Sequence, residues 1–227
     1  MRPKEIINFL NDTTNIKQRD TFIKKLLNTN GDSSLYVSHI LTFNENMKKL
    51  FEREKYYILQ SIINKSNTNK DMFSLSYGEV HDFLRLIFET TNYKSPSRKL
   101  ALNFIINNDD LKHTAYSYAV MGDNLFSACE LKAIFNKNGK EYSNMILNRI
   151  INGDSATWMR ISLKFLFTFH SFLSNSYKKK LFNNLKIDQF DKECYKEADK
   201  IIEANIIYQD IIDKFQAEII KTKLLKG

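Results

Sequence analysis

The sequence predicts an all-α protein, a multi-helix array with an internal pseudo-repeat followed by C-terminal amphipathic helices. Three observations carry that expectation. Only 6 glycines and 2 prolines interrupt 227 residues, and scarce breakers favour long helices over many short strands. Apolar residues recur at helical spacing through most of the chain. Two stretches offset by about 75 residues repeat one another. The first reads TTNIKQRDTFIKKLLNTNGDSSL from residue 13, and the second reads TTNYKSPSRKLALNFIINNDDL from residue 90.

The first repeat unit covers residues 3–63. Pro3 suits the first position of a helix that carries Ile6, Ile7, Phe9 and Leu10, and NDTTN ends it. Phe22, Ile23, Leu26 and Leu27 form a second stripe, closed by NTNGD. Leu35, Val37, Ile40 and Leu41 form a third, and a further helix from about Asn46 to Ile63 carries the charged run KKLFEREK. NKSNTNKD (64–71) reads as a polar linker. The plan then restarts over 77–136, with Val80, Phe83 and Leu84 standing where Ile6, Phe9 and Leu10 stood. The last part of this second unit, KHTAYSYAVMGDN, answers YVSHILTFNEN. Two similar helical units packed around one core are the expectation, with a domain spanning 1–136 and a C-terminal helical region over 137–227.

Beyond the repeat, 126–135 and 142–151 read as helix, turn, helix around NKNGK. Asp154 or Ser155 is placed to cap WMRISLKFLFTFHSFL, the most apolar helix of this half. NSYKKKLFNN reads as a basic turn, and the stretch from Asp191 to the end as one or two amphipathic helices.

An apolar fraction of 43% belongs to a globular chain rather than a disordered one. The net charge of +8 fits a polyanionic partner. Cys129 and Cys194 have neither metal spacing nor the makings of a disulfide framework, which suggests reduced thiols and an intracellular setting, the bacterial cytoplasm if the chain is phage-encoded. Polar residues interrupt every apolar run before membrane-spanning length, so no membrane partner is expected.

His39, His81, His113 and His170 have no ligand-spaced companions, and the sequence lacks a phosphate loop or a nucleophile elbow. A non-catalytic protein without a cofactor is therefore expected. The basic corners are the better lead. In KSPSRK, Ser95 or Ser97 can cap a helix whose free N–H groups favour an anion, and Lys94, Arg98 and Lys99 add charge. Lys17, Arg19 and Lys24 are the counterparts in the first unit. Lys178, Lys179 and Lys180, with Lys186 close behind, form a secondary basic patch. A helix-turn-helix reading of 126–151 would use Asn144, Asn148 and Arg149.

The two corners, with AYSYAVMGDNLFSACELKAIFN after the second, resemble the N-terminal DNA-binding region of ATP-dependent DNA ligases of phage and viral type. Gly122, Asp123, Leu125 and Ser127 stand in the order of that region's closing pattern, while Asn124 and Phe126 occupy places where the family has arginine and glycine. The resemblance covers residues 3–136. It implies a pseudo-twofold helical fold that holds duplex DNA by its phosphates. Carried over, it makes Thr14, Lys17 and Arg19, and Thr91, Lys94, Ser97, Arg98 and Lys99, phosphate contacts. The ligase adenylation motif is missing; the nearest string, KIDQ at 186–189, lacks its glycine. A stand-alone relative of the binding region is implied rather than a ligase.

The expected function is largely sequence-independent binding of duplex or nicked DNA, in phage or viral replication or repair. The alternative is a protein-interaction module whose C-terminal helices dock a replication or host-defence protein, in the manner of a clamp-loader subunit or a defence inhibitor. A helix-turn-helix transcriptional regulator is the third class.

Overall fold

The first helix, α1 (Pro3–Asp12), starts on a proline, whose missing N–H is no loss in a first helical turn. It buries Ile6 and Leu10. Helix α2 (Ile16–Leu27) buries Ile23, Leu26 and Leu27 on one face, and Phe22 stacks on Phe9 of α1 with ring centroids 4.0 Å apart. Helix α3 (Glu52–Thr68) buries Ile58, Leu59 and Ile62. Helix α4 (Tyr77–Thr90) buries Val80, Phe83, Leu84 and Ile87, and α5 (Pro96–Asn107) buries Ala101, Phe104 and Ile105. Helix α3 packs against both α2 and α5, so one helix serves both copies of the repeat. This computed structural model describes residues 3–27, 49–68, 77–109, 111–121, 125–153, 155–206 and 209–226. Among them the regular structure is helical throughout, and there is no strand.

Several boundaries differ from the sequence expectation. Helix α3 starts at Glu52 rather than near Asn46, because Lys49 and Leu50 form a turn and the Phe51 N–H is taken by the Glu54 carboxylate at 2.8 Å. The expected linker is helical as far as Thr68. The stripe at Leu35–Leu41 lies outside the described residues. Helix α4 has 14 residues against 10 in α1, one extra turn, so the register of the two copies is shifted relative to the apolar pattern.

The remaining helices are α6 (Lys112–Met121), α7 (Ala128–Asn152), α8 (Ala156–Phe169), α9 (Asn175–Asn184), a 3-10 turn (Ile187–Gln189), α10 (Lys192–Glu203) and α11 (Gln209–Lys226). The expected basic turn is thus helix α9, capped by the Ser174 hydroxyl. Ser155 stands at the N-cap of α8, and Asp154 lies outside the described residues. The C-terminal stretch is two helices, separated where Asn205 adopts φ 52°, a left-handed conformation that asparagine tolerates.

The chain divides into two compact units, Met1–Thr114 and Ala115–Gly227. The expected boundary at 136/137 falls inside α7, beside its kink at Asn138, and not at the division between the two units. The division lies within α6 instead. On one side of it the Thr114 hydroxyl meets His81 Nε2 at 2.8 Å; on the other, Tyr116 stacks on Tyr142 at 4.1 Å.

The expected break at NKNGK appears as a kink: two helical segments of 128–152 meet at Asn138, with no separate turn of several residues between them. The kink at Asn138 (φ −135°, ψ 16°) has a physical cause. The buried Tyr116 hydroxyl donates to the Ile134 carbonyl at 3.0 Å and accepts from the Asn138 amide. Those two backbone groups would be partners in a straight helix, and a side chain inserted between them bends the axis. Gly139 lets the Phe135 ring lie close against the bend; a Cβ there would meet ring carbons at 2.9 Å. Arg149, one of the residues of the regulator reading, lies over the Trp158 ring at 5.3 Å.

The core of the second unit centres on α8, which buries Met159, Leu163, Phe165, Leu166 and Phe169. Helix α10 packs along α8 through Cys194, Ala198 and Ile201, and the Cys194 thiol donates to the Ala156 carbonyl at 3.3 Å.

Replacing Tyr116 with phenylalanine should cost about 1–3 kcal/mol in urea denaturation, the range for stripping a partner from buried polar groups. Burial also pushes the Tyr142 phenol from 10.0 up to about 12, and moves Tyr116 and Tyr177 the same way. Above the ordinary tyrosine pKa the unfolded chain releases these protons while the folded chain keeps them. Stability should therefore fall as pH rises from about 10 to 12, and tyrosinate absorbance should appear together with loss of helix in an alkaline titration.

Candidate nucleic-acid interface

Each repeat corner is built around a buried arginine from the first turn of its second helix. Arg19 and Arg98 are only 2% and 1% exposed. Arg19 Nη1 donates to the carbonyls of Leu10 (2.6 Å) and Thr13 (3.2 Å) at the end of α1. Arg98 Nη1 donates to the carbonyls of Phe88 (2.5 Å) and Thr91 (3.2 Å) at the end of α4. The last carbonyls of a helix have no partner within it, and a cation is favoured there by the helix dipole. Both corners use the same solution, which makes Phe88 the structural counterpart of Leu10. The apolar pattern had matched Leu84 to it, one turn earlier.

The rest of the Arg19 guanidinium is also occupied. Nε and Nη2 grip the two oxygens of Glu54 at 2.7 and 2.8 Å, and Nη2 also donates to the Lys49 carbonyl at 3.0 Å. All five donors of the side chain are thus satisfied inside the fold. Glu54 is fully buried and belongs to the first turn of α3. Glu52, in the same turn, accepts from the Ser97 amide at 2.9 Å and the Ser97 hydroxyl at 2.6 Å. A carboxylate of the protein therefore occupies the anion position at the start of α5. Ser95 caps that helix, its hydroxyl accepting from the Arg98 amide at 3.4 Å. Lys55 donates to the Thr90 hydroxyl at 3.1 Å, and burial lowers its pKa against the opposing pull of Glu52 and Glu54.

These contacts correct three of the expected phosphate ligands. Arg19, Ser97 and Arg98 are structural, because their polar atoms are buried and engaged within the protein. Thr91 is half-buried and its hydroxyl donates to the Ile87 carbonyl at 2.5 Å. Thr14, Lys17, Lys24, Lys94 and Lys99 remain exposed.

The starts of the two second helices come together. Ile16 opens α2 and Pro96 opens α5, and both line one groove of about 490 Å³ with Phe51, Glu52, Arg53, Tyr56 and Tyr57. Lys17 follows Ile16 directly, and Lys94 precedes the cap of α5 by one residue. Lys24 Nζ lies over the Tyr57 ring, 4.7 Å from its centroid. Arg53 is half-exposed and pairs with Asp20. The result is an apolar, aromatic floor between two cationic helix starts.

Sequence reasoning missed the floor. Phe51, Tyr56 and Tyr57 sit in a run read only as a charged helix, and nothing local distinguishes an aromatic residue that lines a surface groove from one in the core.

The secondary basic patch lies in the other unit. Lys179 and Lys186 line a separate cavity of about 550 Å³ with Asp188 and Glu218. Lys186 Nζ donates to the Gly153 carbonyl at 3.0 Å. Lys180 is exposed and Lys178 half-buried, with its pKa lowered by burial. Among the described residues, no group of histidine, cysteine and carboxylate side chains is gathered to hold a metal, and no helix is long and apolar enough to cross a membrane.

Comparison of the chain with protein-family models, curated proteins and solved structures returns no match.

Arg19→Met should lower stability by about 3–5 kcal/mol, since it strands the Glu54 carboxylate in the core. Adding Glu54→Leu should recover most of that loss, because an apolar pair of similar volume replaces a desolvated ion pair. Urea midpoints of the single and double variants measure both effects.

Proposed function

We propose that the chain is a non-catalytic, largely sequence-independent DNA-binding protein that holds duplex or nicked DNA at the groove between its two corners. On this reading it is a stand-alone relative of the DNA-binding region of ATP-dependent ligases, serving phage or viral replication or repair. The observation that carries the reading is the convergence of the two helix starts, one from each repeat copy, on a single groove, with exposed lysines in the first turns of those helices or directly before them. The grip falls to Lys17, Lys24, Lys94 and Lys99. Lysine is a flexible point charge without the planar fork that reads base edges, so such contacts supply affinity and register rather than sequence readout. The positive excess of the whole chain is shared equally by the two units, so the case rests on where the cations lie and not on net charge alone.

Charge reversal of Lys17, Lys24, Lys94 and Lys99 together should abolish a mobility shift that the wild-type chain gives with duplex DNA at low salt. Each phosphate contact removed should also reduce the slope of log affinity against log salt by about 0.9. Reversal of Lys178, Lys179 and Lys180 should have a much smaller effect; equal losses from the two sets would count against the groove. A pull-down from host lysate beside the titration separates this reading from a protein-interaction module.

A further inference from the structure

We infer that the groove prefers unpaired nucleic acid, with bases stacked on its aromatic floor and the phosphates held along its lysine edge. This rests on the nucleic-acid reading above and moves the preferred ligand of the groove from the duplex itself to an unpaired strand, as at a flap or a frayed end.

The aromatic rings carry the inference. Phe51 is 40% exposed, and the buried Arg19 guanidinium lies 4.3 Å from its ring centroid. Tyr93, in the other corner, is 54% exposed and has the Arg98 guanidinium at 4.5 Å. Each copy of the repeat thus supports one solvent-facing ring on a cation fixed in the core. A ring held from behind loses little freedom when something flat lies on its outer side. Tyr56 and Tyr57 extend the floor beside Phe51.

Charge sets the orientation of the strand. Lys24 lies over Tyr57, and Lys17 and Lys94 are exposed and close in sequence to the lining residues Ile16 and Pro96, whereas the floor is apolar apart from Glu52 and Arg53. Glu52 has its Oε1 engaged by Ser97, and its charge disfavours a phosphate at the bottom of the groove. A strand therefore sits with its phosphates outward on Lys17, Lys24 and Lys94 and its bases inward. Paired bases cannot reach the floor, because they are stacked on one another inside the duplex. Stacking on aromatic side chains is strong and tolerates any base, since each base has a π-face.

Fluorescence anisotropy with labelled oligothymidylate, and with a labelled duplex of equal length, tests this on the full chain at low salt. The wild-type chain should bind the oligothymidylate more tightly than the duplex. Phe51→Leu combined with Tyr56→Leu should weaken oligothymidylate binding about tenfold and weaken duplex binding by much less. Phe51→Trp keeps a ring at the site and should keep the affinity, and its added emission should be quenched by oligothymidylate. Inorganic polyphosphate, a polyanion without bases, should bind the double leucine variant as well as it binds wild type. If the leucine variant holds oligothymidylate as tightly as wild type does, or the added emission is not quenched, stacking is overturned while the lysine grip stands. Equal loss of polyphosphate binding in the leucine variant would also overturn stacking. If the wild-type chain binds neither nucleic acid, the nucleic-acid reading falls as well.

Discussion

Two buried guanidinium groups hold the first unit together. A helix ends with carbonyls that have no partner of their own, and a corner between two helices takes those carbonyls away from water. Arg19 and Arg98 each reach back from the next helix to take two of them. A buried guanidinium is itself costly unless its donors are used, so the carbonyls and the cation need each other. The arginine downstream of each TTN is the sequence trace of that mutual requirement, and the carbonyls it takes belong to the backbone, those of Thr13 and Thr91 among them.

The first turn of α3 completes both corners. Glu54 closes on Arg19, Glu52 closes on the start of α5, and Lys55 closes on the end of α4. Three charged or polar contacts from one helix start therefore fix the separation of the two copies. With the arginines committed inward, the lysines of the same corners are left in solvent. The division has a physical basis: a planar guanidinium with five donors can satisfy several fixed acceptors at once, whereas an ammonium is strongly hydrated and costs more to bury. It also accounts for Phe51 and Tyr93, which lie exposed yet restrained because each rests on one of the buried cations.

The second unit meets a related problem differently. Its long helix α7 is broken at Asn138, and the freed carbonyl and amide are both taken by the Tyr116 hydroxyl. An aromatic ladder then continues from Tyr116 through Tyr142, Phe165 and Phe169. A tyrosine is suited to this place because its ring packs in the core while its one polar atom meets the exposed backbone groups.

Helical class, the stripes of α1, α2, α4 and α5, and the existence of two alike corners follow from the sequence alone, because amphipathic spacing and capping residues act over a few neighbours. The apolar pattern misplaced the second copy by a turn, since Leu84 and Phe88 lie on the same side of α4 and only the carbonyl that meets Arg98 separates them. The form of the NKNGK break was likewise hidden: it is a kink at Asn138 rather than a longer turn, because Tyr116, more than twenty residues away, takes up the freed backbone groups. Whether a cation faces solvent or the core was settled by tertiary contacts. Arg19 and Lys17 look equivalent as letters, but Glu54, 35 residues beyond Arg19, takes one of them out of solution and leaves the other exposed. Burial of a charge depends on a partner brought from a distance, and sequence spacing carries no record of that distance.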